Sequence, residues 1–186
     1  MANNILVVAG TDIVLASGSY SPGASANNNF GTATDTLDLT SVAAGAAEQS
    51  NIIDLTATRA ALYNVMSAIE FDIAPTAGGT VDLYWAPQNN ATAGKGAPGE
   101  VAGVSGAYTG TTADTLANSL KQLMYIGSHV VTVDDDADAV QVAVVGTFAP
   151  PQRYGTLVVV NNADQSTIAD SVEQAVLMSP IIDQVQ

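Results

Sequence analysis

Four carboxylates crowd one short stretch of this 186-residue chain, Asp134, Asp135, Asp136 and Asp138, and calcium favours oxygen-rich turns of that kind. The EF-hand spacing is not met. Counting from Asp134, Ala139 stands where that loop needs its glycine and Val145 where it needs its glutamate. A solvated acidic turn joining two strands accounts for the same residues, and no specific metal is expected there. His129, the single histidine, lies between Ser128 and Val130 in a strand-like run. The chain has no cysteine or second histidine to share a metal with it, and alternation makes it an ordinary residue of a sheet face.

Nucleophilic and phosphate chemistry find little better material. Ser105, between Val104 and Gly106, and Ser128, after Gly127, both lack the Gly-x-Ser-x-Gly pattern and its strand-turn-helix setting. Gly94-Lys95-Gly96 is a short Gly-Lys element, but Ala97 offers no hydroxyl for magnesium and no glycine occupies the preceding Walker position. Tyr84 and Trp85 are adjacent, so in an unbulged strand they face opposite sides and cannot share a flat sugar-stacking platform. Trp85 is expected to anchor a core. The sequence therefore assigns no catalytic, cofactor-binding or metal-ligating residue and no cofactor, and the expectation is a protein that is not an enzyme.

Composition narrows the partners. Eighteen carboxylates against four basic residues give a formal charge of −14, which repels phosphate backbones and anionic lipid. Neither nucleic acid nor membrane is an expected partner. Ile5 to Ala9 is apolar but brief, has no Lys or Arg before it and is soon followed by Asp12, so it reads as neither a signal peptide nor a membrane span. Synthesis in the cytoplasm is expected. Without cysteine, stability must come from packing or from partners.

The elements that would position any site are strands. At 18.8 kDa one domain with one core is expected. Residues 1 to 50 read as an N-terminal arm with short strands: apolar runs at Ile5 to Val8 and Ile13 to Ala16, then Ser, Gly, Asn and Ala, then short strands at Thr36 to Thr40 and, just beyond, Asn51 to Thr56. Residues 17 to 34 offer little to bury, so the arm is expected to contribute little to the core, and a chain shortened to begin near Thr36 is expected to stay folded. Residues 51 to 186 read as the sandwich domain. Ile69, Phe71 and Ile73 alternate with Glu70 and Asp72, and Val81, Leu83 and Trp85 with Asp82 and Tyr84, which predicts an antiparallel hairpin turning at Pro75 to Gly79.

Pro87 to Gly110 is a long loop with six Gly and two Pro, of the length that is usually functional or disordered. Leu116, Leu120 and Leu123 have the spacing of a short helix. Strands are expected at Tyr125 to Val133, Val140 to Phe148, Tyr154 to Asn161 and near Val172 to Met178. Eight to ten strands without alternating helices argue for an all-β antiparallel sandwich, with a jelly roll as the specific variant and an irregular N-terminal arm.

Three segments, Leu120-Lys-Gln-Leu-Met-Tyr-Ile-Gly-Ser, Gln152-Arg-Tyr-Gly-Thr-Leu-Val-Val-Val-Asn-Asn and Ser179-Pro-Ile-Ile-Asp, resemble virion structural proteins encoded by tailed bacteriophages. The likeness runs from about Ile69 to the end. It implies a capsid decoration or cement protein on the outer capsid surface, with the major capsid protein as partner and a homo-oligomer, a trimer above all, as its state. A strongly acidic chain sits more easily outside a capsid than beside packaged DNA. A tail or head-to-tail connector component is the alternative within the virion. A carbohydrate-binding or adhesin module is the alternative from another class, though it calls for a secretion signal and an aromatic platform.

Overall fold

A computed structural model describes residues 5–56, 59–132, 139–170 and 172–185. In chain order the strands are β1 (Ile5–Ala9), β2 (Ile13–Ala16), β3 (Asp35–Thr36), β4 (Ala47–Gln49), β5 (Ile53–Asp54), β6 (Leu62–Ile69), β7 (Thr80–Gln88), β8 (Gly106–Ala107), β9 (Met124–Val130), β10 (Gln141–Phe148), β11 (Tyr154–Asn161) and β12 (Ala175–Val185). One short helix, α1 (Leu116–Leu120), precedes β9. The first sheet runs β10-β6-β12-β2-β3, with β1 continuing beside β12; the second runs β8-β4-β11-β7-β9, with β5 beside β11. Pairing is antiparallel except between β2 and β3, where Leu15 faces Asp35 in parallel register. The two sheets pack as an all-β sandwich.

Period-2 alternation explains the inner faces. Val81, Leu83 and Trp85 of β7 point inward to meet Val65 and Ile69 of β6, Leu157 and Val159 of β11, and Val176 and Met178 of β12. Trp85 is fully buried, as expected of a core anchor. Its indole lies across Gly155 of β11, where an added Cβ would come within 2.1 Å of the ring. In β11 the intervening residues Val158 and Val160 are buried too, against the opposite side of the sheet, so its unbroken valine run marks a strand covered on both faces.

The expected hairpin does not form. β6 belongs to the first sheet and β7 to the second, so the two lie across the core from each other. β6 stops at Ile69; Phe71 makes only an isolated bridge with Thr167 and is buried, whereas Ile73 is 59% exposed. Backbone bonds from Ile168 N to Glu70 O at 3.0 Å and from Asp72 N to Ser166 O at 3.0 Å hold this stretch as the chain crosses between sheets. Alternation specifies which residues face inward, but not the sheet in which the next strand finds its partner.

Residues 1 to 50 also contribute more than expected. Leu15 of β2 and Leu37, Leu39 and Val42 lie in the central core at 4% exposure or less. Buried Thr167 donates its hydroxyl to Leu39 O at 2.5 Å and accepts from Val42 N at 2.7 Å, which gives this strand-poor segment hydrogen-bond partners in the interior. A chain beginning near Thr36 would lack β2 and the buried Leu15, so the expectation that the arm contributes little to the core is corrected.

The two sheets meet at the edge strands β9 and β10, and each has a register shift there. An added Cβ on Gly127 of β9 would fall 2.2 Å from the carbonyl oxygen of Val145 in β10. Backbone approach that close leaves room only for glycine.

Candidate functional site

Both outer faces of the sandwich carry irregular covers, and the open groove lies under one of them. Over the second sheet, the segment after β7 packs Val101, Tyr108 and Leu123 against Ala86, Val158 and Val160. Tyr108 donates its hydroxyl to Gly99 O at 2.7 Å, and Thr115 caps α1 by accepting from Asn118 N at 3.3 Å. Leu116 and Leu120 pack on the same cluster, as the leucine spacing predicts. The Gly-rich loop is thus largely a structural cover.

Over the first sheet, residues 17–34 lie on a much smaller cluster, Val14, Ala16 and Ala175, with Tyr20, Phe30 and Ala33 only partly buried against it. Ser21 N donates to Val172 O at 2.8 Å, and the side chain of buried Asn28 donates to Glu173 O at 2.9 Å. The Tyr20 hydroxyl donates to Asn28 O and accepts from Phe30 N. These bonds tie the cover to the segment just before β12. Thr34 closes its other end, where its amide donates to Val14 O at 2.8 Å and its hydroxyl accepts from Val14 N at 3.0 Å.

A groove of about 570 Å³ opens between this cover and the β2–β3 edge, lined by Ser17, Tyr20, Asn29, Thr34 and Asp35 among others. A second, of about 390 Å³, lies on the other side of Thr34 and Asp35 and is lined by Asp12, Asp54, Arg59, Tyr63 and Pro180. Burial raises the Asp35 carboxyl above the usual range, partly offset by the Thr34 hydroxyl. Asp54 moves the other way, because Arg153 donates to both its oxygens at 2.7 Å. The Arg153 guanidinium also sits 4.9 Å from the centre of the Tyr154 ring. Arg59 donates to the carbonyls of Pro150 and Pro151 at 3.3 Å each. The lining of these two grooves offers hydroxyl, carboxylate and guanidinium groups, a set suited to holding a polar polypeptide segment.

The residues singled out from sequence are scattered. His129 faces the core at 1% exposure, and its Nδ1 lies 2.8 Å from Ser67 Oγ of β6, a hydrogen bond joining the two sheets. Desolvation lowers its pKa to about 4, so it is neutral at pH 7. That separation matches a nucleophile and its base, but Ser67 is also fully buried and a substrate would have to part the sheets to reach it. His129 therefore lies on the inner, core-facing side of β9, a residue of a sheet face as alternation predicts.

Ser105 accepts from Asp38 N at 3.3 Å and ties two loops, and Lys95 lies on an exposed turn. Ser128 donates to Asp82, Asn162 donates to the other Asp82 oxygen at 2.8 Å, and the Ser128 and Tyr125 hydroxyls are 2.5 Å apart. Tyr84 and Tyr125 stand 5.3 Å apart at 60°, which is not a flat platform. The acidic turn Asp134 to Asp138 lies outside the described residues. Among the described residues no group of three or more His, Cys, Asp or Glu is placed to hold a metal ion.

Sequence reasoning missed the groove because its lining is Ser, Thr, Asn and Asp, the residues of any turn-rich segment; the one available signal was Tyr20 and Phe30 within that segment. No family model matches the chain, and no curated protein or solved structure matches it significantly.

Proposed function

We propose that this chain is a noncatalytic structural protein of a tailed-bacteriophage virion that binds and stabilises the outer surface of the capsid. The observation that carries the reading is the contrast in how the sandwich is covered. Residues 17–34 rest on a small apolar cluster beside an open edge groove, so this segment can exchange its contacts for those of a neighbouring subunit at little cost to the core. A formal charge of −14 favours a site away from packaged DNA. The segments that resemble virion proteins fall on β9, β11 and β12, which build the framework, so the resemblance concerns the scaffold and the groove concerns the partner.

Quantitative mass spectrometry of virions of the encoding phage tests the proposal. Decoration requires hundreds of copies per particle, whereas about six or twelve would make the chain a connector component by the symmetry of such rings. Absence from virions would overturn the reading. A saccharide-binding reading has one observation in its favour, Tyr125 at 56% exposure beside Asp82 and Asn162, but a single exposed ring provides only one stacking face.

A further inference from the structure

The two ends of the described chain run on together past the last pairing with β6, with Ile182 still packed against the central core. β12 is paired with β6 as far as Ile181, which faces Leu62, and beyond that residue its only partner among the described residues is β1. The register runs from Ala9 opposite Ile181 to Ile5 opposite Val185. On its far side β1 has no strand neighbour among the described residues, because β3 pairs with β2 alone. Among the described residues the result is a two-stranded ribbon with two open edges, one along β1 and one along the 182–185 stretch of β12.

Such a ribbon is marginal in water by itself. Its sequence makes isolation harder still, since Ile5-Leu6-Val7-Val8-Ala9 and Ile181-Ile182-Asp183-Gln184-Val185 carry one charge between them in a chain of net charge −14. Neither stretch contains the Lys or Pro with which exposed edges are commonly protected from pairing.

We infer that the β1–β12 ribbon is the self-association surface of this protein, with the open β12 edge of one copy pairing antiparallel with the open β1 edge of the next. Three observations select a second copy as the occupant. Within the ribbon β1 and β12 are antiparallel, so copies placed side by side in the same orientation continue one antiparallel sheet without a break. Each copy brings both complementary edges in matching length. The ribbon is also nearly free of charge, so contact here keeps the strongly acidic bodies of two copies apart. Head-to-tail pairing of this kind must close into a ring or run on as a fibre, and a closed cyclic oligomer is the soluble solution. The inference does not depend on the capsid reading, and either can fail alone.

Light scattering on the intact chain, with Ile182→Pro and Asp183→Pro beside it, tests the surface. In an antiparallel strand successive N–H groups point to opposite sides, so one of these prolines removes a donor aimed at the open edge and the other a donor aimed at β1. The intact protein should be a closed oligomer at micromolar concentration. At least one variant should fall to the 18.8 kDa monomer while its circular dichroism and buried-Trp85 fluorescence remain those of the intact chain. A monomeric intact chain, or an oligomer that survives both prolines, overturns the inference. Should either variant misfold, hydrogen exchange on the unsubstituted protein decides: amides 182–185 slow as concentration rises if they pair between copies, and exchange independent of concentration contradicts it.

Discussion

The two covers of the sandwich are built from similar residues, Gly, Ala, Ser, Thr and Asn, yet they are attached in different ways. The cover of the second sheet inserts Val101, Tyr108 and Leu123 into a layer that includes both central strands, β7 and β11. The cover of the first sheet lays Tyr20 and Phe30, each partly exposed, over Val14, Ala16 and Ala175 and relies on a few hydrogen bonds, those of Asn28 foremost. The number of large side chains directed at the sheet separates structural cover from separable cover; glycine content does not. Full burial of one large apolar side chain contributes about 1.5 to 3 kcal/mol, as much as two or three hydrogen bonds that each net about 1 kcal/mol.

The largest effect that would sharpen this comparison is expected at Tyr108. Replacing it with Ala removes a buried ring and its bond to Gly99, and should cost about 3 to 5 kcal/mol in urea denaturation. A loss no greater than that at Phe30 would erase the distinction between the covers.

The pH dependence reports on the core between them. Because the His129 pKa is held near 4 in the fold against 6.5 for the free side chain, its contribution is complete above 6.5 and is lost as pH falls toward 4. That linkage amounts to about 3 kcal/mol at most. Denaturation should show a less stable sandwich at pH 4.5 than at pH 7, and His129→Phe should flatten this part of the profile. Glu48 has the opposite sign: burial first, then the Asp38 charge, raises its carboxyl to about 7, so its contribution is complete below 4.5 and lost as pH rises through 7. Glu48→Gln should remove that alkaline loss.

Smaller effects belong to the first cover. Phe30→Ala and Asn28→Ala should each cost about 1 to 2 kcal/mol, the first for a partly buried ring and the second for a lost bond to Glu173. Neither should alter the near-ultraviolet signal of Trp85, which lies in the central core. A cost at Asn28→Ala equal to that at Tyr108→Ala would make residues 17–34 part of the folding unit.

Much of the framework was legible in the sequence. Tyr154 to Asn161 was delimited as the strand it is, and α1 follows from the leucine spacing, because both signals are local. The pairing of Ile69 to Ile73 with Val81 to Trp85 was not legible, since the assignment of strands to sheets is made by contacts distant in sequence. The core role of Leu39 and Val42 was hidden for a related reason: their backbone groups are met by Thr167 and Asn161, more than a hundred residues away, with Asn161 donating to Val42 O at 2.9 Å. The groove was least legible, because its shape arises where an irregular cover meets a sheet edge.

Native-state hydrogen exchange resolved along the chain tests the central claim most directly, since it compares the two covers in one experiment. The account predicts that amides of residues 17–34, including Ser21 on Val172 and Phe30 on the Tyr20 hydroxyl, exchange through a local opening well below the global unfolding free energy. Val101 and Tyr108, bonded to Pro98 and Ala47, should exchange only with global unfolding. Equal protection of the two covers would contradict the account.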